Sequence, residues 1–131
     1  MIVVDSSALI AILYAEAERE VLVERILRAP RRLISAVTML ETSVVVLRKR
    51  GAGALEDLRD LLHELDIETI AFDETQARLA AEAYGAFGKG VDPRARLNIC
   101  DCASYALAKS RGAPLLFKGE DFVHTDLESC F

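Results

Sequence analysis

Four short apolar runs alternate along this chain with stretches whose apolar residues recur at helical spacing. Strand then helix, repeated, is the pattern of βαβ units, and it confines the fold to a mainly parallel sheet with helices on both faces. The first run, Ile2-Val3-Val4, is β-branched and reads as a central strand buried on both sides. The others are Arg32 to Ser35, Ile67 to Phe72 and Pro114 to Phe117. Between them the pattern predicts helices over Ser7 to Tyr14, Glu16 to Arg28, Val37 to Arg50, Ala54 to Leu65, Glu74 to Phe87 and Cys102 to Ser110. Pro30 ends the second, Gly51 closes the third and Asp73 caps the fifth. The leucines of Ala54 to Leu65 read as core packing before partner surface. At 131 residues this is one domain, 1–131, large enough to bury roughly two-thirds of the surface of its unfolded chain.

Composition excludes several classes. With 52% hydrophobic and 28% charged residues, the chain is neither disordered nor fibrous. No apolar run reaches the ~18 residues of a membrane span, and the N-terminus lacks a signal peptide, so we expect a cytoplasmic protein with no membrane contact. Cys100, Cys102 and Cys130 are odd in number and read as thiols, and Cys100-x-Cys102 without a second pair is a poor zinc site. A net charge of −5 argues against a broad positive field for nucleic acid while leaving room for a local contact. The basic residues bunch at Arg25 to Arg32, Arg48 to Arg50, Arg94/Arg96 and Lys109/Arg111, mostly near helix ends, where they offset the helix dipole.

The acids carry the functional signal. Asp5 falls where the first strand ends, and ligands of open α/β sheets bind outside the carboxyl ends of the strands. Capping explains it equally well, since Asp5, Ser6 or Ser7 can accept the free N–H groups of the following helix. Glu41 has the same ambiguity: Thr38-x-x-Glu41 matches a capping box, yet Glu41 is also placed to lean toward Asp5. Asp101 opens a helix after a glycine-rich stretch, 85 to 97, that predicts a mobile loop of about a dozen residues. Asp121 follows the last strand. Brought together at one sheet edge, Asp5, Glu41, Asp101 and Asp121 repel one another unless a cation sits among them. Oxygen ligands without histidine or thiolate select Mg²⁺ or Mn²⁺, the ions of phosphate chemistry. No rival apparatus is visible: His63 and His124 stand apart, and there is no Walker-type glycine loop.

Met1 to Leu13, Thr38-x-x-Glu41, Arg96-Leu97-Asn98-x-x-Asp101-Cys102-Ala103-x-Tyr105-Ala106-Leu107-Ala108 and Leu115-Leu116-Phe117-Lys118-Gly119-x-Asp121-Phe122-x-x-Thr125-Asp126 together resemble a PIN domain of the VapC toxin type. The likeness spans essentially the whole chain. It implies a three-layer α/β/α sandwich, metal-dependent endoribonuclease activity on structured RNA such as tRNA or rRNA, and neutralisation by a VapB-type antitoxin, in a homodimer or a toxin–antitoxin hetero-oligomer. It carries the family's acids onto Asp5, Glu41, Asp101 and Asp121, with Ser7 as the hydroxyl near the metal and Asp126 as a further acid. Asp5 and Asp101 are then expected to hold the principal metal, Glu41 to act directly or through water, and Asp121 to complete a weaker position. Arg96 is the expected phosphate contact, with Asn98 beside it, although an ion pair between Arg96 and one of the acids is equally open. One position departs from the pattern: Cys100 stands where glycine commonly precedes the third acid, which bears on close backbone approach of substrate.

Two alternatives use the same acids. A phosphatase or phosphotransferase of the haloacid-dehalogenase type also begins with an apolar strand ending in Asp, but it requires a second Asp where this chain has Ser7. An inactive interaction module would bind Mg²⁺ without turnover.

Overall fold

The computed structural model describes residues 1–128, so Cys130 lies outside the described residues. In chain order the elements are β1 (Ile2–Val4), α1 (Ser6–Leu13), α2 (Arg19–Arg28), β2 (Arg32–Ser35), α3 (Ala36–Arg50), α4 (Gly53–Glu64), β3 (Ile67–Ile70), α5 (Glu74–Phe87), α6 (Ile99–Arg111) and β4 (Leu115–Leu116). The sheet order is β3-β2-β1-β4 with every pairing parallel, which puts β1 inside the sheet as its apolar run predicts. Successive side chains of a strand point to opposite faces. Ile2, Val4, Ile34 and Leu116 accordingly join α1, α2 and α4 in one apolar layer, whereas Val3, Leu33 and Leu115 pack with α5 and α6 in the other. This is the expected α/β/α sandwich. A one-residue slip would send each strand's side chains into the wrong layer, so even these short strands have a fixed register. The leucines of α4 serve ordinary packing: Leu58 and Leu62 are buried, with Leu55 and Leu61 against the same layer.

Element ends depart from the sequence pattern where side chains or strained backbone intervene. β4 is shorter than Pro114 to Phe117 because, beyond Leu116, the Lys118 N–H turns to the hydroxyl of Ser7. β3 stops at Ile70 because the Ala71 carbonyl accepts from Gln76 Nε2 and Asp73 already caps α5. α2 begins at Arg19 rather than Glu16, since Ala15, at a left-handed φ of 51°, and the Glu16 N–H, which donates to the Ala11 carbonyl at 2.9 Å, are taken up in closing α1; Lys118 pairs with Glu16 and Glu18 across this turn. Gly51, at φ 80°, ends α3 where an L side chain is strained.

The loop expected to be mobile is pinned at both ends. Leu97 N–H donates to the Phe87 carbonyl at 2.9 Å, Lys89 N–H donates to the Leu97 carbonyl at 2.8 Å, and Ala95 and Leu97 are buried. Gly88 at its start has an ordinary φ, but a Cβ there would lie 2.9 Å from the ring of Tyr84 and closer still to that residue's carbonyl oxygen. Gly88→Ala is therefore expected to destabilise the protein by about 1–3 kcal/mol through overpacking. A thermal melt checks this, and an unchanged midpoint would show that the turn shifts freely. Among the described residues no helix is long and apolar enough to cross a membrane.

Candidate active site

Asp5 continues the sheet: its N–H donates to the Leu116 carbonyl at 2.9 Å, which fixes the carboxylate at the β1 exit. The side chain is almost fully buried, at 2% exposure. Its Oδ2 accepts from the Ser7 N–H at 3.1 Å and the Ser7 hydroxyl at 2.7 Å, and its Oδ1 accepts from Ser104 Oγ at 2.6 Å. Capping and site placement thus coexist, because the two oxygens do different things. Ser7 in turn accepts from the Lys118 N–H at 3.0 Å, so the β4 exit and the start of α1 are linked through the hydroxyl expected near the metal.

For Glu41 the two readings were exclusive, and the capping box is not formed. Ser35 caps α3 through the Val37 N–H, which places Thr38 and Glu41 inside the helix. Glu41 Oε1 instead accepts from Ser6 Oγ at 2.8 Å, directly beside Asp5. Burial pushes its carboxyl above the ordinary range against the pull of the Ser6 bond, and the charge on Asp5 adds to the rise. A capping box does occur, at the start of α6: Asn98 Oδ1 accepts from the Asp101 N–H at 2.8 Å, and Asp101 Oδ2 accepts from the Asn98 N–H at 2.9 Å. Asp101 therefore arrives from a helix start rather than a strand exit. Its carboxyl is pushed up to about 7, chiefly by burial, with the Asn98 bond opposing and Asp5, Asp121 and Glu41 each raising it.

These four acids share one electrostatic field, and among the described residues none of them is paired with a lysine or arginine. Asp121 is exposed at the rim. Asp126 is not brought to them: it accepts from Tyr105 Oη at 2.6 Å and pairs with Lys109 at 2.8 Å, farther along α6. Nor does Arg96 pair with an acid; it is exposed, at a left-handed φ of 56°, and free of hydrogen bonds and ion pairs among the described residues. Asn98 is the helix cap. Cys100 lies against Glu41, and burial followed by the charge of Glu41 pushes its thiol up to about 11, so it enters the site as a neutral, weakly polar group.

The donor chemistry fits a hard cation, since carboxylates crowded without a counter-charge are what a divalent ion relieves. Among the described residues, however, no three His, Cys, Asp or Glu side chains form a ready cage for an ion. Hydroxyl and backbone donors occupy several of the oxygens, so a bound ion would keep much of its water shell, as Mg²⁺ commonly does.

The sequence reading missed Ser104, which sits behind Asp5, and gave Thr38 and Ser6 only capping roles. The available signal was spacing: Ser104 follows Asp101 by one helical turn, and Thr38 precedes Glu41 by one.

The fold is shared with known proteins. The family model described as PIN domain matches residues 2–128. The chain is 41% identical over 125 residues to ribonuclease VapC42 of Mycobacterium tuberculosis, covering 95% of each sequence. Among solved structures it is similar to Mycobacterium tuberculosis VapC20, described as a toxin cleaving the sarcin–ricin loop, with a TM-score of 0.77 at 16% identity, covering 98% of this chain and 97% of that one. It is also similar to a chain of a toxin–antitoxin complex from Klebsiella pneumoniae, with a TM-score of 0.75 at 16% identity, covering 100% of this chain and 98% of that one.

Proposed function

The chain belongs to the VapC ribonucleases of the PIN-domain family, and on that footing we propose that it is a metal-dependent endoribonuclease toxin, held in check by a VapB-type antitoxin. The observation that carries the reading is the unpaired group of acids: Asp101 lies in the joint field of Asp5, Asp121 and Glu41, and no lysine or arginine among the described residues pairs with any of them. Asp5, Asp101 and Glu41, with Asp121 at the rim, would hold Mg²⁺ or Mn²⁺, which when bound polarises a phosphoryl oxygen and lowers the pKa of a water.

The chain's own residues prepare for that task. Asp5 stays fixed by its three donors, Ser6 holds Glu41 toward it, and Asp101 must give up its proton before it serves as an anionic ligand. Arg96, exposed and without a hydrogen bond or ion pair among the described residues, is available to a phosphate of the RNA backbone. Structured RNA, tRNA or rRNA, is the substrate class that fits the family. A phosphatase of the haloacid-dehalogenase type is disfavoured, since Ser7 occupies the place of its second Asp and is engaged with Asp5 and the Lys118 N–H.

Incubating the antitoxin-free protein with total cellular RNA and Mn²⁺ is expected to give discrete fragments that disappear with EDTA and return when Mn²⁺ is added back. RNA left intact throughout would overturn the reading in favour of a binding module, and hydrolysis of a phosphomonoester in its place would favour a phosphatase.

A further inference from the structure

Behind the carboxylates lies a second layer made of hydroxyls. Thr38 and Ser104 are fully buried, and Ser104 Oγ lies 2.6 Å from Asp5 Oδ1 and 2.9 Å from Thr38 Oγ1. The Ser104 hydroxyl donates to Asp5 Oδ1, which commits its one proton, so the Thr38 hydroxyl must then donate to Ser104. The neighbouring Thr42 takes no part, because its hydroxyl donates back to the Thr38 carbonyl at 2.8 Å.

Spacing distinguishes this chain of bonds from a polar pair that merely fills space. Thr38 stands three residues before Glu41 on α3, Ser104 stands three after Asp101 on α6, and residues three apart share a helix face. Each helix thus carries an acid of the site together with a hydroxyl one turn away, and the two hydroxyls meet where α3 packs on α6. A core that needed only volume here would accept valine and alanine at nearly no cost.

We propose that Thr38 and Ser104 are positioning residues, a one-way hydroxyl relay that fixes the Asp5 carboxylate and sets the approach of Glu41 to Asp101. The proposal rests on the metal-dependent reading above and concerns residues that touch neither metal nor substrate. Loss of groups that orient a metal ligand typically weakens metal affinity by roughly 10–100-fold.

The test titrates Mn²⁺ into wild type, Ser104→Ala, Thr38→Val, the Thr38→Val/Ser104→Ala double variant and Thr38→Ser by calorimetry, with melting curves in EDTA and RNA cleavage kinetics alongside. The double variant keeps the core apolar and close-packed, so it is expected to fold even if a single variant does not. Expected are a rise of roughly 10–100-fold in the Mn²⁺ dissociation constant for Ser104→Ala and the double variant, a smaller rise for Thr38→Val, and near wild-type affinity for Thr38→Ser. In the same variants kcat falls with KM for RNA unchanged. Folded variants that keep wild-type Mn²⁺ affinity while the wild type cuts RNA would overturn the relay and spare the nuclease reading. A wild type that binds Mn²⁺ and cuts no RNA would overturn the nuclease reading alone, the relay then being decided by the Mn²⁺ affinities. A wild type that takes up no Mn²⁺ would overturn both.

Discussion

Asp101→Asn is expected to reduce RNA cleavage by roughly 100-fold or more, at least the upper end of the cost of disturbing a metal site, while raising the melting temperature of the metal-free protein. The two effects share one cause. Folding places Asp101 among Asp5, Asp121 and Glu41 in a largely buried position, and the ionised form is disfavoured there. Asparagine has nearly the same shape, and its carbonyl oxygen still accepts from the Asn98 N–H, so the cap of α6 survives the exchange. What disappears is a charge that the metal-free fold must bear at a stability cost. At pH 8 in EDTA the variant should be more stable by about 1–3 kcal/mol, allowing for partial screening by water. A variant that cuts RNA at the wild-type rate would remove Asp101 from the site. One that melts lower in EDTA would make Asp101 a structural cap, and the raised carboxyl irrelevant to function.

The sequence pattern was sufficient for the layer order, because side-chain alternation in β1, β2 and β4 directly divides residues between the two cores. It was weakest at element ends. The left-handed Ala15 closes α1 through the bonds from the Ala15 N–H to the Ile12 carbonyl and from the Glu16 N–H to the Ala11 carbonyl, an ending that alanine in place of glycine does not announce, and Lys118 holds Glu16 and Glu18 from about a hundred residues away. β4 is similarly ended by a hydroxyl near the other end of the chain. Contacts of such long sequence separation have no periodic signature.

In the site, residue types were legible and partners were not. The capping-box pattern was read at Thr38 to Glu41, but the box forms between Asn98 and Asp101, because Ser35 reaches the first free N–H groups of α3 before Thr38 is in place to do so. Asp126 illustrates the converse. It lies close in sequence to an acid of the site, yet Lys109 and Tyr105, on successive turns of α6, hold it away from the others. Its charge is offset within the protein. That Asp5, Glu41, Asp101 and Asp121 have no cationic partner among the described residues is the property that a sequence alone does not reveal.

The raised carboxyl of Asp101 also predicts how metal binding varies with pH. Below about 7 the folded, metal-free protein holds a proton on this group, and an ion entering there must displace it, which weakens affinity up to about tenfold for each unit of falling pH. Between pH 7.5 and 5.5 the Mn²⁺ dissociation constant should therefore rise by roughly 20–30-fold. Stability of the metal-free protein runs the opposite way. In the unfolded chain an aspartate titrates near ~3.9, so between that pH and about 7 the folded state binds more protons than the unfolded state, and stability falls as pH rises. Glu41, also raised by burial, adds a slope of the same sign. Melting curves at pH 5.5 and 8, with EDTA or with saturating Mn²⁺, should thus show a small metal-induced shift at the lower pH and a large one at the higher. A shift independent of pH would place the ion away from Asp101, and a metal-free protein more stable at pH 8 would mean that the acids are relieved by something other than a bound cation.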